Sequence, residues 1–491
     1  MKASEIFEGI PLLRSVEDLS IEIAGITCDS RKVKPGFAFV CLPGQHVDGR
    51  RFIPDAIMAG AVLMVCEKPP EENVPFVLVE DARHALPLML QNFYHHPEAS
   101  FQRMIAITGT NGKTTTSFML KSIFDHAGCK TGLIGTTKYL IGDQEVPLGA
   151  RDALLTTPDP ELLYTLFSRM RDAKVDTVIM EASSHALALQ KLSGLFFDVA
   201  IFTNLTQDHL DFHEDMDSYL QAKKSLFSMA RVGLFNCDDP HFGAMASGVP
   251  ARVCTFSPRG MKADFSAIQV LSHTAQGICF LMRDGEKDCK VSVPIPGEFT
   301  VSNALGAIGA ARLCGLDTET ILKALQEMHG VKGRIERILT DTPYSVFIDF
   351  AHTPDALENI LSTLRGFTKG RLICLFGCGG DRDRTKRPMM GRIACAMSDY
   401  VIITSDNSRT EKKEAIIEDI LNGVRDTSTP YTVIPDRTEA IRFALTHARK
   451  DDVILLAGKG HEEYEIDQTG KHPYSERKIV MEIIQQRNEK Q

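Results

Sequence analysis

The chain has 491 residues, a formal net charge of −9, 43% hydrophobic residues and twelve cysteines without a Cys-x-x-Cys pair. Its length sets a prior of about three domains, each able to bury its own core. The acidic balance argues against nucleic acid as a partner, no apolar run approaches the ~18–20 residues of a membrane span, and the scattered cysteines read as reduced cytosolic thiols.

The opening Met-Lys-Ala-Ser-Glu-Ile-Phe places an acid where a secretory leader needs an unbroken apolar stretch, so a cytoplasmic protein is expected. Residues 1–100 alternate short strands, predicted at 38–42, 62–67 and 76–80, with helical runs. The polar stretch 96–103 reads as a linker. Within 101–332, strands predicted at 104–108, 177–180, 199–203 and 233–236 alternate with amphipathic helices. That alternation predicts a mostly parallel sheet covered on both faces. A β-rich stretch at 264–294 interrupts it, and helices are predicted at 301–314 and 318–328. Residues 333–491 restart the pattern, with strands at 344–350, 371–376, 400–404 and 452–457. The expected architecture is therefore α/β in three domains, 1–100, 101–332 and 333–491, the last being Rossmann-like.

The strongest motif follows the apolar run 104–107: Gly109-Thr110-Asn111-Gly112-Lys113-Thr114-Thr115. Backbone N–H groups of such a turn, backed by a helix N-terminus, cradle nucleotide phosphates. Lys113 would neutralise the β- and γ-phosphates and the Thr114 hydroxyl would ligand Mg²⁺. A strict phosphate loop has glycine at the place of Ile107, so this is a variant, and it points to ATP. Glu181-Ala182-Ser183-Ser184-His185 falls at the carboxyl end of a predicted strand, where ligand groups gather in open α/β sheets. Glu181 could hold Mg²⁺; alone, the stretch fits a surface glutamate and a satisfied histidine equally well.

The run Asp208-His209-Leu210-Asp211-Phe212-His213 packs two acids and two histidines, a metal or phosphate pattern that gains weight only beside the phosphate loop. Lys223 and Lys224 lie on a helix predicted over 218–229 and by themselves read as solvated. Gly377-Cys378-Gly379-Gly380-Asp381-Arg382-Asp383-Arg384, followed by Lys386-Arg387, sets four cations beside a glycine turn. That suits carboxylate or phosphate recognition, and equally an exposed charged loop.

Together these stretches resemble the Mur ligases, ATP-dependent amide-forming enzymes of peptidoglycan synthesis, along nearly the whole chain. Thr27-Cys28-Asp29-Ser30-Arg31 matches the family's Asp-Ser-Arg element, and Gly44-Gln45-His46-Val47-Asp48-Gly49 a loop that helps to hold the uridine nucleotide. The resemblance implies an N-terminal UDP-sugar domain that includes Ser30, a central ATPase and a C-terminal amino-acid domain. It implies Lys113 and Thr114 on the ATP phosphates and Mg²⁺, with Glu181 and His209 around the metal. Asn303, Arg334, Asp349 and His352 would line the nucleotide, and Thr156, Thr157 and Ser183 the muramoyl-dipeptide. In the family's Ala-Lys-x-x-Leu-Phe pattern the lysine is carbamylated; this maps to Lys223, with Lys224 as the alternative.

Resemblance is greatest to members that add the third residue of the stem peptide to UDP-N-acetylmuramoyl-L-alanyl-D-glutamate. Asp406-Asn407-Ser408-Arg409 matches the Asp-Asn-Pro-Arg loop whose arginine pairs with the far carboxylate of meso-diaminopimelate. Arg382, Gly458 and Glu462 match further contacts to that substrate. Ser408 replaces the proline, so the fixed φ before Arg409 is lost. Lys191 stands where an arginine usually binds substrate and keeps the charge without the fork. A monomer is expected. An L-lysine-adding ligase and a nucleotide-dependent switch ATPase are the competing expectations.

Overall fold

The computed structural model describes residues 1–15, 19–44, 48–149, 154–210, 212–285, 287–328 and 330–488. Residues 45–47 of the uridine loop and Asp211 lie outside these. The described residues divide into two compact units. The first comprises Met1–Phe235, Asp239–Cys254 and Gly309–Leu316; the second comprises Asn236–Asp238, Thr255–Ile308 and the chain from Asp317 onward.

The first unit opens with a five-stranded sheet ordered β1-β5-β4-β3-β2, built from Leu12–Ser15, Gly25–Thr27, Phe37–Val40, Leu63–Cys66 and Phe76–Val79 as β1 to β5. Only β1 runs antiparallel. Next come β6 (Arg103–Thr108), β7 (Thr131–Ile134), β8 (Tyr139–Ile141), β9 (Gln144–Glu145), β10 (Thr177–Glu181), β11 (Phe197–Phe202) and β12 (Ala230–Asn236), ordered β12-β11-β6-β10-β7-β8-β9. The five strands from β12 to β7 are parallel, and all five residues of β10 are buried, as a sheet covered on both faces requires.

Two local expectations change. The stretch expected as a linker is a packed turn: Pro97 is buried, and the buried Phe101 meets Phe167 edge-on with ring centroids 5.6 Å apart. The helix expected over 218–229 is α-helical only over Met216–Lys224 and tightens to a 3₁₀ turn over Ser225–Met229. Ser225 Oγ there takes the carbonyl of Ala222 at 2.8 Å, a side-chain competitor of the kind that ends helices.

In the second unit, the part of β13 (Arg252–Ser257) from Thr255 onward pairs at Phe256 and Ser257 with β14 (Phe265–Thr274), which continues as an antiparallel meander through β15 (Gly277–Asp284) and β16 (Lys287–Val293). A six-stranded sheet follows, ordered β17-β18-β22-β19-β20-β21. Its strands are Glu336–Ile338, Ser345–Asp349, Leu372–Phe376, Tyr400–Ile403, Tyr431–Val433 and Val453–Ala457 as β17 to β22, parallel except β17. A small hairpin, β23 (Tyr464–Asp467) and β24 (Gly470–Pro473), precedes the helix Glu476–Asn488. No helix among the described residues is long and apolar enough to cross a membrane.

Candidate active site

Strand β6 ends at Thr108 and the Lys113–His126 helix begins four residues after Gly109. Gly109 and Gly112 carry φ of 149° and 89°, angles that side chains other than hydrogen disfavour, and a Cβ on Gly109 would overlap Thr203 Oγ1. The end of β11 sets the shape of the turn. Asn204 Oδ1 accepts from Asn111 N at 2.8 Å, Asn204 O accepts from Thr110 N at 2.9 Å, and Thr203 Oγ1 donates to Asn111 O at 2.6 Å. Lys113 Nζ donates to the carbonyls of Gly109 and Thr110 at 2.7 and 2.8 Å, and Thr115 is buried on the helix behind.

Glu181, the last residue of β10, is fully buried and gathers hydroxyls from the Lys113–His126 helix and from the turn after β7. Its carboxylate accepts from Thr136 Oγ1 at 2.7 Å, Thr114 Oγ1 at 3.1 Å, Thr136 N at 3.2 Å and Ser117 Oγ at 3.5 Å. Thr156 Oγ1 lies 3.1 Å from Thr136 Oγ1. Thr157 Oγ1 donates to Glu181 O at 2.8 Å and accepts from Ser183 N at 2.9 Å, with Ser183 Oγ 3.2 Å away. The expected residues 114, 156, 157, 181 and 183 thus form one cluster. Thr136 is a member that sequence reading missed; its only signal is Gly135-Thr136-Thr137 directly after β7, where a Cβ on Gly135 would overlap Glu181 Oε1.

The side chains that hydrogen-bond to Glu181 all offer oxygen, the donor that Mg²⁺ prefers. Among the described residues no group of three or more His, Cys, Asp or Glu side chains is placed to hold a metal ion by itself. A site with one carboxylate and one hydroxyl suits an ion whose remaining ligands are water and substrate phosphates, the usual arrangement for Mg²⁺. Of the acid and histidine run, His209 (φ 55°) meets the His185 ring at 4.7 Å and the Tyr219 ring at 6.3 Å. Burial pushes His209 down to about 4 against the pull of Asp208, so it is neutral near pH 7.

The two lysines of the Met216–Lys224 helix part company. Lys223 is buried, donates to Gly109 O at 2.9 Å and lies 4.4 Å from the Tyr219 ring centroid, whereas Lys224 donates to Ala244 O at 2.9 Å near the surface. Burial, with Lys113 nearby, drives the Lys223 amine well below the usual lysine range.

Elsewhere in this unit, Ser30 sits in a turn capped by Asp29. Glu161 Oε1 accepts from Thr27 Oγ1 at 2.9 Å and Cys28 N at 2.7 Å, and Asp159, two residues before it, pairs with Lys191 Nζ at 2.6 Å. One helix N-terminus therefore ties the Ser30 turn and Lys191 together.

The second unit carries two further clusters. Arg334 lies 4.9 Å from the Phe350 ring centroid, and that ring meets His352 at 4.6 Å and His461 at 5.0 Å. Buried Asp349 accepts from Ile335 N and Ala351 N, both at 2.8 Å, and burial raises its carboxyl. Asn303 is buried on the Phe299–Leu313 helix.

At the end of β20, Asn407 Nδ2 donates to Glu462 Oε2 at 2.8 Å, while its Oδ1 accepts from the buried Lys459 Nζ at 2.9 Å and from Ile466 N at 3.0 Å. Burial tends to raise the Asp406 carboxyl, but Lys459 and Arg437 outweigh it and the net shift is downward. A Cβ on Gly458 (φ 115°) would come 2.5 Å from Asp406 Oδ2. Arg409 Nη1 donates to Gly380 O at 2.8 Å, and a Cβ on Gly379 would lie 2.9 Å from that nitrogen and 3.9 Å from Arg382 Cγ. Ser408 is buried between them in sequence. Of the four cations expected to face a ligand, Arg382 donates to Asp381 O and Lys386 to His352 O. Arg384 and Arg387 are instead spent on Asp419 and, for Arg387, Glu411.

Three segments match family models: residues 22–94 the Mur ligase family catalytic domain, 107–311 the Mur ligase middle domain, and 333–460 the Mur ligase glutamate ligase domain. The chain is 43% identical over 95% of its length, and 95% of the relative's, to a UDP-N-acetylmuramoyl-L-alanyl-D-glutamate--2,6-diaminopimelate ligase of Caldanaerobacter subterraneus subsp. tengcongensis. The chain belongs to the Mur ligase family. A Clostridium tetani Mur ligase of the same name is 41% identical over 99% of this chain and 100% of its own. A solved structure of a ligase with that name superposes with a TM-score of 0.72 at 29% identity, covering 99% of both chains. As a Mur ligase this chain is an ATP-dependent, ADP-forming ligase, and its parallel-rich α/β sheets match the three-domain fold of its structural neighbours.

Proposed function

We propose that this Mur ligase joins meso-diaminopimelate to UDP-N-acetylmuramoyl-L-alanyl-D-glutamate in peptidoglycan precursor synthesis. The observation that carries the reading is Arg409, held on the glycine turn beside Arg382 in a chain similar end to end to 2,6-diaminopimelate ligases. A guanidinium so placed suits a substrate with a second carboxylate; L-lysine, which lacks one, would leave it unpaired. Asp406, Asn407, Ser408, Gly458 and Glu462 complete the amino-acid site. Arg334, Asp349, His352 and Asn303 serve the nucleotide, and Ser30, Lys191, Thr156, Thr157 and Ser183 the UDP-linked substrate. The three domains run 1–100, 101–332 and 333–491, and the three matched family segments fall within them. The protein acts as a monomer in the cytoplasm.

A carboxylate is a poor acyl donor because its leaving group would be oxide. Moving the γ-phosphoryl of ATP onto the glutamate carboxylate releases ADP and gives an acyl phosphate. The neutral amine then attacks the acyl carbon, phosphate departs, and the nitrogen loses its proton. The Gly109–Gly112 turn cradles the phosphates and Lys113 offsets their charge. Thr114 and Glu181, together with His209, would hold Mg²⁺, which when bound would offset charge on the transferred phosphoryl group. Lys223, whose amine is buried and driven well below the usual lysine range, is the residue proposed to add to CO₂ through its nitrogen lone pair. An N–C bond forms, a proton leaves, and the carbamate offers oxygen where the amine stood.

Phosphate release from ATP, Mg²⁺ and the UDP-dipeptide, with meso-diaminopimelate or L-lysine in parallel, tests the reading. Release with meso-diaminopimelate alone supports it. Release with L-lysine alone overturns the substrate assignment, and release without any amino acid overturns the ligase assignment in favour of a plain ATPase.

A further inference from the structure

The loop that carries Arg409 and the glycine turn it rests on are joined by an ion pair, buried on its arginine side, that the chemistry above does not use. Strands β19 and β20 are parallel neighbours, and the turn 377–381 and the loop 405–411 leave from their carboxyl ends. Arg387, fully buried on the Lys386–Met397 helix, forms a two-pronged pair with Glu411: Nη2 to Oε1 at 2.7 Å and Nη1 to Oε2 at 2.9 Å. The same guanidinium donates to Asp419 Oδ2 at 2.8 Å and to Gly379 O at 3.1 Å. Glu411 Oε1 in turn accepts from Asp381 N at 2.6 Å. Asp381 closes the circuit, its Oδ1 accepting from Thr410 Oγ1 at 2.6 Å and its Oδ2 from Thr410 N at 3.2 Å.

The circuit surrounds two residues in left-handed backbone, Asp381 at φ 53° and Arg409 at φ 51°. Such conformations persist only where the surroundings over-determine them. Proline at 408 would restrict the chain just before Arg409, and serine does not. The backbone here is fixed from outside instead: Arg409 N donates to Ile466 O at 3.1 Å, Gly380 N to Asn407 O at 2.9 Å, and Glu411 N to Ser408 O at 3.0 Å. There is no room to slip, because a Cβ on Gly380 would overlap Ser408 O.

The geometry points to Glu411, locked by Arg387 and bridged to Asp381, as the positioning residue that fixes Arg409 for the far carboxylate of the amino-acid substrate. It acts through Arg409 and touches no reacting atom. The inference rests on the proposed substrate. Its consequence is that affinity for the incoming amino acid, and discrimination against one lacking the second carboxylate, depend on Glu411 while the ATP and UDP-substrate sites do not.

The test compares wild type, Glu411→Gln and the exposed-site variant Thr410→Val, with and without Ser408→Pro. KM is measured separately for meso-diaminopimelate, ATP and the UDP-dipeptide, alongside kcat/KM for meso-diaminopimelate over L-lysine. Glu411→Gln is expected to raise the meso-diaminopimelate KM about tenfold and to narrow the discrimination by a similar factor, with the other two KM values within about twofold. Thr410→Val should do the same more weakly, and Ser408→Pro should restore part of the loss in either variant. An unchanged meso-diaminopimelate KM in both variants overturns the inference, as does a parallel rise in all three KM values, the mark of general loosening. If Glu411→Gln does not fold, Thr410→Val alone decides by the same criteria. Wild type that turns over no meso-diaminopimelate overturns the substrate reading and this inference with it. Active wild type with indifferent variants overturns the inference alone.

Discussion

Lys223 and Lys224 differ by one position on a helix and by everything in environment. One turn of about 100° per residue sends Lys223 under the phosphate loop and Lys224 to the carbonyl of Ala244. Lys223→Ala is expected to cut kcat by a factor on the order of 10²–10³, the range for loss of one aligned electrostatic group. A short carboxylic acid in the assay should restore part of it, since a carboxylate can stand where the carbamate oxygens were. Lys224→Ala, a surface change, should leave turnover and Tm near wild type. A loss through Lys224 instead would move the proposed modification to that residue. The family pattern favoured the first lysine; burial separates the two, since Lys223 is enclosed beneath the phosphate loop and its amine is driven below the usual lysine range, while Lys224 lies near the surface.

At the scale of elements, the nucleotide end of the first unit is an edge on which three parallel strands stop together. Glu181 pairs with Ile107 and Phe202 with Thr108, so β10, β6 and β11 deliver their last residues to one level. Gly109→Ala breaks that edge twice, by a Cβ overlapping Thr203 Oγ1 and by a side chain at φ 149°. Backbone strain of this kind costs about 1–3 kcal/mol, so ATP affinity measured by calorimetry should fall roughly ten- to hundredfold. Apolar strands such as β6, β10 and β19 are legible in sequence because a doubly covered strand is a continuous hydrophobic run. Short or half-polar strands, β8, β9, β23 and β24 among them, are not, since their pairing depends on a neighbour already in place. Thr136 escaped for the same reason: it meets Glu181 across 45 residues of sequence, and Gly-Thr-Thr alone is an ordinary turn. Arg387 escaped in the opposite direction, because a cation beside a glycine turn suggests a ligand until its partners Glu411 and Asp419 are known.

Across the whole molecule, charge networks set the response to acid. Burial and nearby cations depress the His461 imidazole to about 4, and the Arg387 guanidinium depresses the Glu411 carboxyl to about 2. For both groups the folded value lies below the unfolded one. Their contributions are therefore complete above the unfolded value and lost as pH falls through the folded one. Stability followed by Tm should decline first between about pH 6.5 and 4 as unfolded chains take up the histidine proton, then again between about pH 4.5 and 2. Glu411→Gln should make the second decline shallower, since Asp419 and Asp452 are depressed by arginines as well, and leave the first.

The fully buried pair of Arg437 and Glu476 works on the same scale. Arg437 Nε meets Glu476 Oε1 at 2.9 Å, while Nη1 and Nη2 hold the carbonyls of Ser405 and Ala457 at 3.0 and 2.8 Å. Glu476→Ala, which strands that guanidinium, should cost ~3–5 kcal/mol in denaturant unfolding.

That pair also ties the last helix to the amino-acid site. Ser405 and Ala457 lead into the two loops of the amino-acid site, yet the anion that neutralises their shared anchor lies at the start of the last helix. A chain that stops between residues 462 and 476 has every proposed contact for the incoming amino acid but lacks the carboxylate that pairs with Arg437. Truncation before Glu476 is therefore expected to destabilise the amino-acid site although every residue proposed to touch the substrate is present.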